Sequence, residues 1–200
     1  MLAHERAAVS LLLASSCTVG GVIHSSLAGP RDGTIAQPSL AGIIDADPAS
    51  VEGGQAIALG TTIVGCADAL DAMLFFGLRY GVPAGRIFQT IASGLLGQAS
   101  YAGGSPTVAL GILLHFTIAC GIVTTYFVVS RKIELLRRRP VICGILYGLV
   151  AFAVMNLVVL PLSAFGRVPQ FSKLSLANGL LIHAFGVGLP SALVASRTAR

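Results

Sequence analysis

Five residues capable of chemistry sit where polarity is costly. Asp68, Asp71, His115, Asn156 and His183 each interrupt a long apolar segment. An ionisable side chain in hydrocarbon faces a bundle interior or a wet cavity and has a partner there. The two histidines recur in nearly the same local sequence, Ala109-Leu-Gly-Ile-Leu-Leu-His115 and Ala177-Asn-Gly-Leu-Leu-Ile-His183, 68 positions apart. That recurrence points to an internal duplication that sets two imidazoles at one depth. Asp68 and Asp71 are i,i+3 neighbours on one helical face. Two carboxylates in a low-dielectric site do not both ionise readily, and a neighbouring protonated histidine offsets their repulsion. An Asp/His cluster of this kind relays protons or binds a small cation. Competing with this is a packing role, because His and Asn also hydrogen-bond across membrane helices with no further function.

The elements that position these residues are apolar helices. The chain has 200 residues, 54% hydrophobic and 10% charged. A soluble domain carries about 25% charged residues, and the mean hydropathy here is +0.85. The spans fall at 55–78, 105–130, 141–164 and 175–196, each long enough to cross a hydrocarbon core of about 30 Å. Counted from one end of each span, all five polar residues fall roughly 10–15 Å deep at 1.5 Å per residue. The fold class expected is an all-α membrane protein: four transmembrane helices as two hairpin repeats, with a site at the repeat interface.

Between the first two spans, residues 81–97 carry Arg86 and Gln89 and read as a short interfacial or re-entrant helix. Gln89 and Asn178 lie too near the interface to join the polar layer. Gly144-x-x-x-Gly148 is a face for close helix approach. Pro161 and Pro190 bend their helices near the ends. Tyr80, Tyr101 and Tyr126 mark span boundaries, where tyrosine is favoured.

The domain organisation is an N-terminal extension, 1–54, and a four-helix transmembrane domain, 55–196. In the extension, residues 7–28 are weakly apolar and 29–54 read as loop, rich in Gly, Pro, Ser and Asp. Leu13-Ala-Ser-Ser-Cys17 resembles a lipoprotein signal, but lipidation there would invert the core against its charge balance. That balance is set by Arg131, Lys132, Arg137, Arg138 and Arg139, which mark the 131–139 turn as cytoplasmic. Both ends of the core are then cytoplasmic, in a bacterial inner membrane.

The net charge of +5 belongs to this turn and not to a nucleic-acid surface, since no aromatic-interleaved basic face accompanies it. Cys17, Cys66, Cys120 and Cys143 lack CxxC or other metal spacing. No HExxH, GxSxG or Cys/His nucleophile pattern occurs, so neither catalytic nor metal-binding residues are assigned. Haem b is the one cofactor alternative, with His115 and His183 as axial ligands. The expected partners are the lipid bilayer and, because four short helices enclose little volume, further copies of the chain or a partner membrane subunit.

The segment His115-Phe-Thr-Ile-Ala119, Tyr126, the basic turn before Gly144-x-x-x-Gly148, Asn156, Leu160-Pro-Leu162 and a last helix carrying His183 resemble a family of uncharacterised bacterial multi-pass inner-membrane proteins. The chain is distantly similar to the YagU type over roughly 55–196, which carries histidine at the position of Asn156. The resemblance implies a small multi-pass helical protein and brings no catalytic residues. Three functions follow from the residues: proton or small-solute translocation or sensing, a structural or accessory membrane subunit, and a bis-histidine haem protein.

Overall fold

In the computed structural model, residues 48–198 are described, with side chains from Glu52 onward. All secondary structure among them is helical: α1 (Pro48–Tyr80), α2 (Ala84–Leu96), a 3-10 turn (Gly97–Ala102), α3 (Gly104–Lys132), α4 (Glu134–Arg138), α5 (Pro140–Val154), α6 (Leu160–Leu162), α7 (Lys173–Leu181) and α8 (Leu189–Arg197). Two π-helical turns, Met155–Val159 and Ile182–Gly188, join α5 to α6 and α7 to α8. Four continuous helices are thereby long and apolar enough to cross a membrane: Glu52–Tyr80, Gly104–Lys132, Pro140–Leu162 and Lys173–Arg197. The chain is a multi-pass membrane protein. Leucines such as Leu74, Leu113, Leu146 and Leu157 lie exposed on the outside of the bundle, where lipid replaces water as solvent.

The spans match the expected segments to within a few residues at every end except the first. There the helix begins at Pro48, inside the stretch read as loop. Proline suits a first helical turn, where its missing N–H goes unused. Gly53, a poor helix former, is held by burial against the Phe127 ring, its Cβ direction 3.4 Å from Phe127 Cζ. Tertiary packing outweighs the loop-like composition.

One end of the bundle, the basic end, gathers Glu52, the α3–α4–α5 turn and Arg197; the far end gathers Tyr80, α2, Gly104, Leu162 and Lys173. At the far end α1 stops on Gly81. Its φ of 66° lets the Gly81 and Val82 N–H groups turn back onto Gly77 O and Phe76 O at 3.0 and 3.2 Å. Helix α2 then crosses α3 at Gly111, where a Cβ would collide with the Phe88 carbonyl. Its last turn meets the end of the third span, with Ala164 N–H donating to Gly94 O at 2.9 Å. It is the short helix expected between the first two spans, and it is amphipathic.

The core is built from small and aromatic residues. Near the basic end Ala56, Tyr126, Phe127, Ala192, Val194 and Ala195 pack together, and above them Val64, Ala119, Val123 and Val187. Tyr126, near the basic end of α3, points into the bundle. It is 1% exposed, and its hydroxyl donates to Leu136 O at 3.1 Å. Tyr147 closes the third span onto the second by donating to Ile122 O at 2.7 Å. The third and fourth spans touch backbone to backbone: Gly144 and Gly148 face Gly188, Ala192 and the His183 carbonyl. The Gly-x-x-x-Gly face thus serves a contact within the chain.

Candidate functional site

Asp71 lies about 14 Å from the far end of α1, at 1.5 Å per residue, and its side chain is half-buried. Its Oδ2 accepts a hydrogen bond from Asn178 Nδ2 at 2.7 Å, across the interface between the first and fourth spans. Asp68, one turn further in and half-buried, and His183 on the fourth span both lie within coulombic range of the Asp71 carboxylate. The structure therefore joins Asp71 directly to Asn178, with Asp68 one turn away on the same helix and His183 five residues beyond Asn178 on the fourth span. By its distance from the span end alone, Asn178 falls too close to the interface to join the polar layer. Its signal in the sequence was available: it is the one carboxamide in the stretch that repeats around the histidines, where the first copy has Leu110.

The two histidines stand in matched settings. His115 meets the Phe88 ring edge-on at 6.3 Å and His183 meets Phe152 edge-on at 5.1 Å. In each case the glycine four residues earlier seats the same phenylalanine: Gly111 against the Phe88 backbone and Gly179 against the Phe152 ring, 2.6 Å from its Cβ direction. Gly-x-x-x-His with a phenylalanine from the preceding helix is thus a repeated packing unit.

Their hydrogen bonds differ. His115 Nε2 donates across to Gly65 O on α1 at 2.9 Å, whereas His183 Nδ1 donates to Gly179 O on its own helix at 3.0 Å. A carbonyl only accepts, so each bond identifies the protonated nitrogen. The lone pair of the neutral ring is then on Nδ1 in His115 and on Nε2 in His183. Ligation of one haem iron through both Nε2 atoms would require His115 to release Gly65.

Asn156 is buried and donates from Nδ2 to Phe152 O at 2.9 Å. It occupies the second position of the π-turn Met155–Val159, just as His183 occupies the second position of Ile182–Gly188. Each side chain bonds the carbonyl four residues back, Phe152 and Gly179, which the main chain also approaches from Met155 N–H and Ile182 N–H. The turns close with i to i−5 bonds from Leu160 N–H to Met155 O and from Leu189 N–H to Ala184 O.

The cause of the π-turns lies two residues beyond them. Pro161 and Pro190 lack an N–H and press on the carbonyl four residues earlier, which falls inside the π-turn in both cases. Widening the turn relieves that contact, and such turns recur at functional sites. At both prolines expected to bend their helices, the helix takes one extra residue per turn beside a polar side chain.

Among the described residues, no group of three or more His, Cys, Asp or Glu could hold a metal ion. Comparison with family models, with curated proteins and with solved structures finds no match.

Proposed function

We propose that this chain is a multi-pass protein of a bacterial inner membrane, related to the YagU type, that takes up and passes on protons, alone or with a small solute. The basic 131–139 turn then lies in the cytoplasm. The observation that carries the reading is the Asp71–Asn178 hydrogen bond, which joins the first and last spans beside Asp68 and His183. A carboxylate held between two helices, with an imidazole on the neighbouring turns of the fourth span whose Nε2 carries the ring's lone pair, has the groups a proton-exchange chain needs. Asn178 orients the carboxylate in that chain, and His183 is set by its bond to Gly179.

The test is proton flux into proteoliposomes loaded with a pH-sensitive dye. The native chain dissipates an imposed gradient, while Asp71→Asn and His183→Phe abolish the flux and remain folded by circular dichroism. A native chain no leakier than empty liposomes, or variants that conduct as well as it does, would sink the proposal.

A second reading is favoured by His115, whose ring bonds the Gly65 carbonyl on the first span. In it the polar layer only fixes helix pairing in a structural subunit, itself working as a homo-oligomer or with a partner chain. That reading expects the same substitutions to lower assembly and stability, with no flux in any form of the protein.

A further inference from the structure

We propose that the far end of the bundle is a docking surface for anionic phospholipid headgroups of the phosphatidylglycerol type. Four exposed cations lie there, Arg79, Arg86, Arg167 and Lys173, and among the described residues that end holds no carboxylate. At the basic end Glu134 pairs with Arg138 at 2.8 Å, and Arg131, Lys132, Arg137, Arg139 and Arg197 stand beside that pair. Lipid phosphates can supply a counter-charge there, since the ends of membrane-spanning helices stand at the depth of the headgroups.

The cations are also held in place. Arg79, Arg86 and Arg167 lie over the rings of Tyr80, Tyr101 and Phe165 at 5.4, 4.0 and 5.0 Å. Arg86 is the most fixed of them. It donates from Nη1 to Tyr101 O at 3.5 Å, and the Tyr101 hydroxyl donates to Thr90 Oγ1 at 3.4 Å on the same helix as Arg86. A guanidinium fixed over a ring loses little freedom on binding and presents its remaining N–H groups as a fork, which matches two oxygens of a phosphodiester. Helix α2, lying across α3 at Gly111, carries this fork at the far end of the bundle.

The inference rests on the chain spanning a bilayer and is independent of the Asp71 cluster, so a missing proton flux leaves it standing. The native protein is assembled in nanodiscs of equal phosphatidylcholine and phosphatidylglycerol, released gently, and its retained lipids are counted by native mass spectrometry. Phosphatidylglycerol is expected in excess. Arg86→Gln should lower that excess about fivefold, and each further neutralisation among Arg79, Arg167 and Lys173 by about as much again. The basic-end variant R137Q/R138Q/R139Q should leave the far-end population in place.

Equal retention of both lipids by the native protein overturns the proposal, and needs no variant to fold. So does unchanged retention in the four-site variant. Displacement of phosphatidylglycerol by inorganic phosphate would mean that any phosphate suffices, and would overturn the lipid assignment.

Discussion

Gly148→Ala should loosen the contact that positions His183. A Cβ at Gly148 would run into the His183 carbonyl oxygen and stand 2.7 Å from its carbon and 3.0 Å from Ala184 Cα. Ordinary contact begins near 3.4 Å, and the oxygen stands closer than its carbon, so the third and fourth spans must part by more than about 0.7 Å at this point, a gap that forfeits at least a quarter to a half of each dispersion contact it opens. Neighbouring contacts share the loss, since Gly144 meets Ala192 and Gly188 across the same seam. Overpacking of this kind costs about 1–3 kcal/mol, and the backbone nature of the obstacle puts the expected value near ~2 kcal/mol or above. Gly121→Ala is the control, because nothing lies within 4 Å of its Cβ direction; better helix propensity makes it neutral or stabilising by up to about 1 kcal/mol. Unfolding of both variants in mixed micelles, followed by helical circular dichroism, gives the difference directly. If Gly148→Ala were as stable as Gly121→Ala, the close approach of the two helices, and with it the account of what places His183, would be wrong.

Other outcomes follow from the same geometry. A double-mutant cycle of Asp71→Leu and Asn178→Leu, each of which removes the bond, should show a coupling of about 0.5–2 kcal/mol in unfolding free energy, and a coupling near zero would remove Asn178 from the site. Tyr147→Phe should cost about 1 kcal/mol, since it leaves the Ile122 carbonyl without that donor; a stability equal to the parent's would mean the bond contributes nothing. Deleting Val158, inside the first π-turn, should return that turn to α-helix and leave a monodisperse folded protein on size-exclusion chromatography. Deleting Leu149, in regular helix, swings the flanking faces by about 100° and should aggregate the chain. Equal behaviour of the two deletions would refute the extra-residue account of the π-turns.

The spans were legible because a membrane helix is specified locally: twenty apolar residues in a row need no partner to be recognised. The same holds for His115, His183 and the acidic pair, each conspicuous against hydrocarbon. What joins them was not legible. The Asp71–Asn178 contact bridges 107 positions, and depth counted from a helix end says nothing about which faces meet. Asn178 was passed over because it lies five residues from Lys173, a distance that looks interfacial until the neighbouring helix is in place. Tyr126 was read by its distance from a span end, yet the small residues around it, Ala56, Ala192 and Ala195, make an interior pocket that only the packed bundle reveals. The prolines were legible as disturbances; the form taken, a π-turn with Asn156 or His183 answering the strained carbonyl, depends on side chains five and seven residues upstream.

The separation between Asp71 and Asn178 also has a meaning in time. A ribosome adding 5–20 residues per second finishes the first span about 5–20 s before it makes the residue that bonds the carboxylate. Throughout that interval the nascent chain carries Asp71 in or beside lipid without its partner. The fourth span, the most buried of the four, arrives last and completes the interface. A chain truncated anywhere before Asn178 therefore stays marked by an unanswered carboxylate, so the bond that organises the site also records that synthesis has run past the start of the last helix.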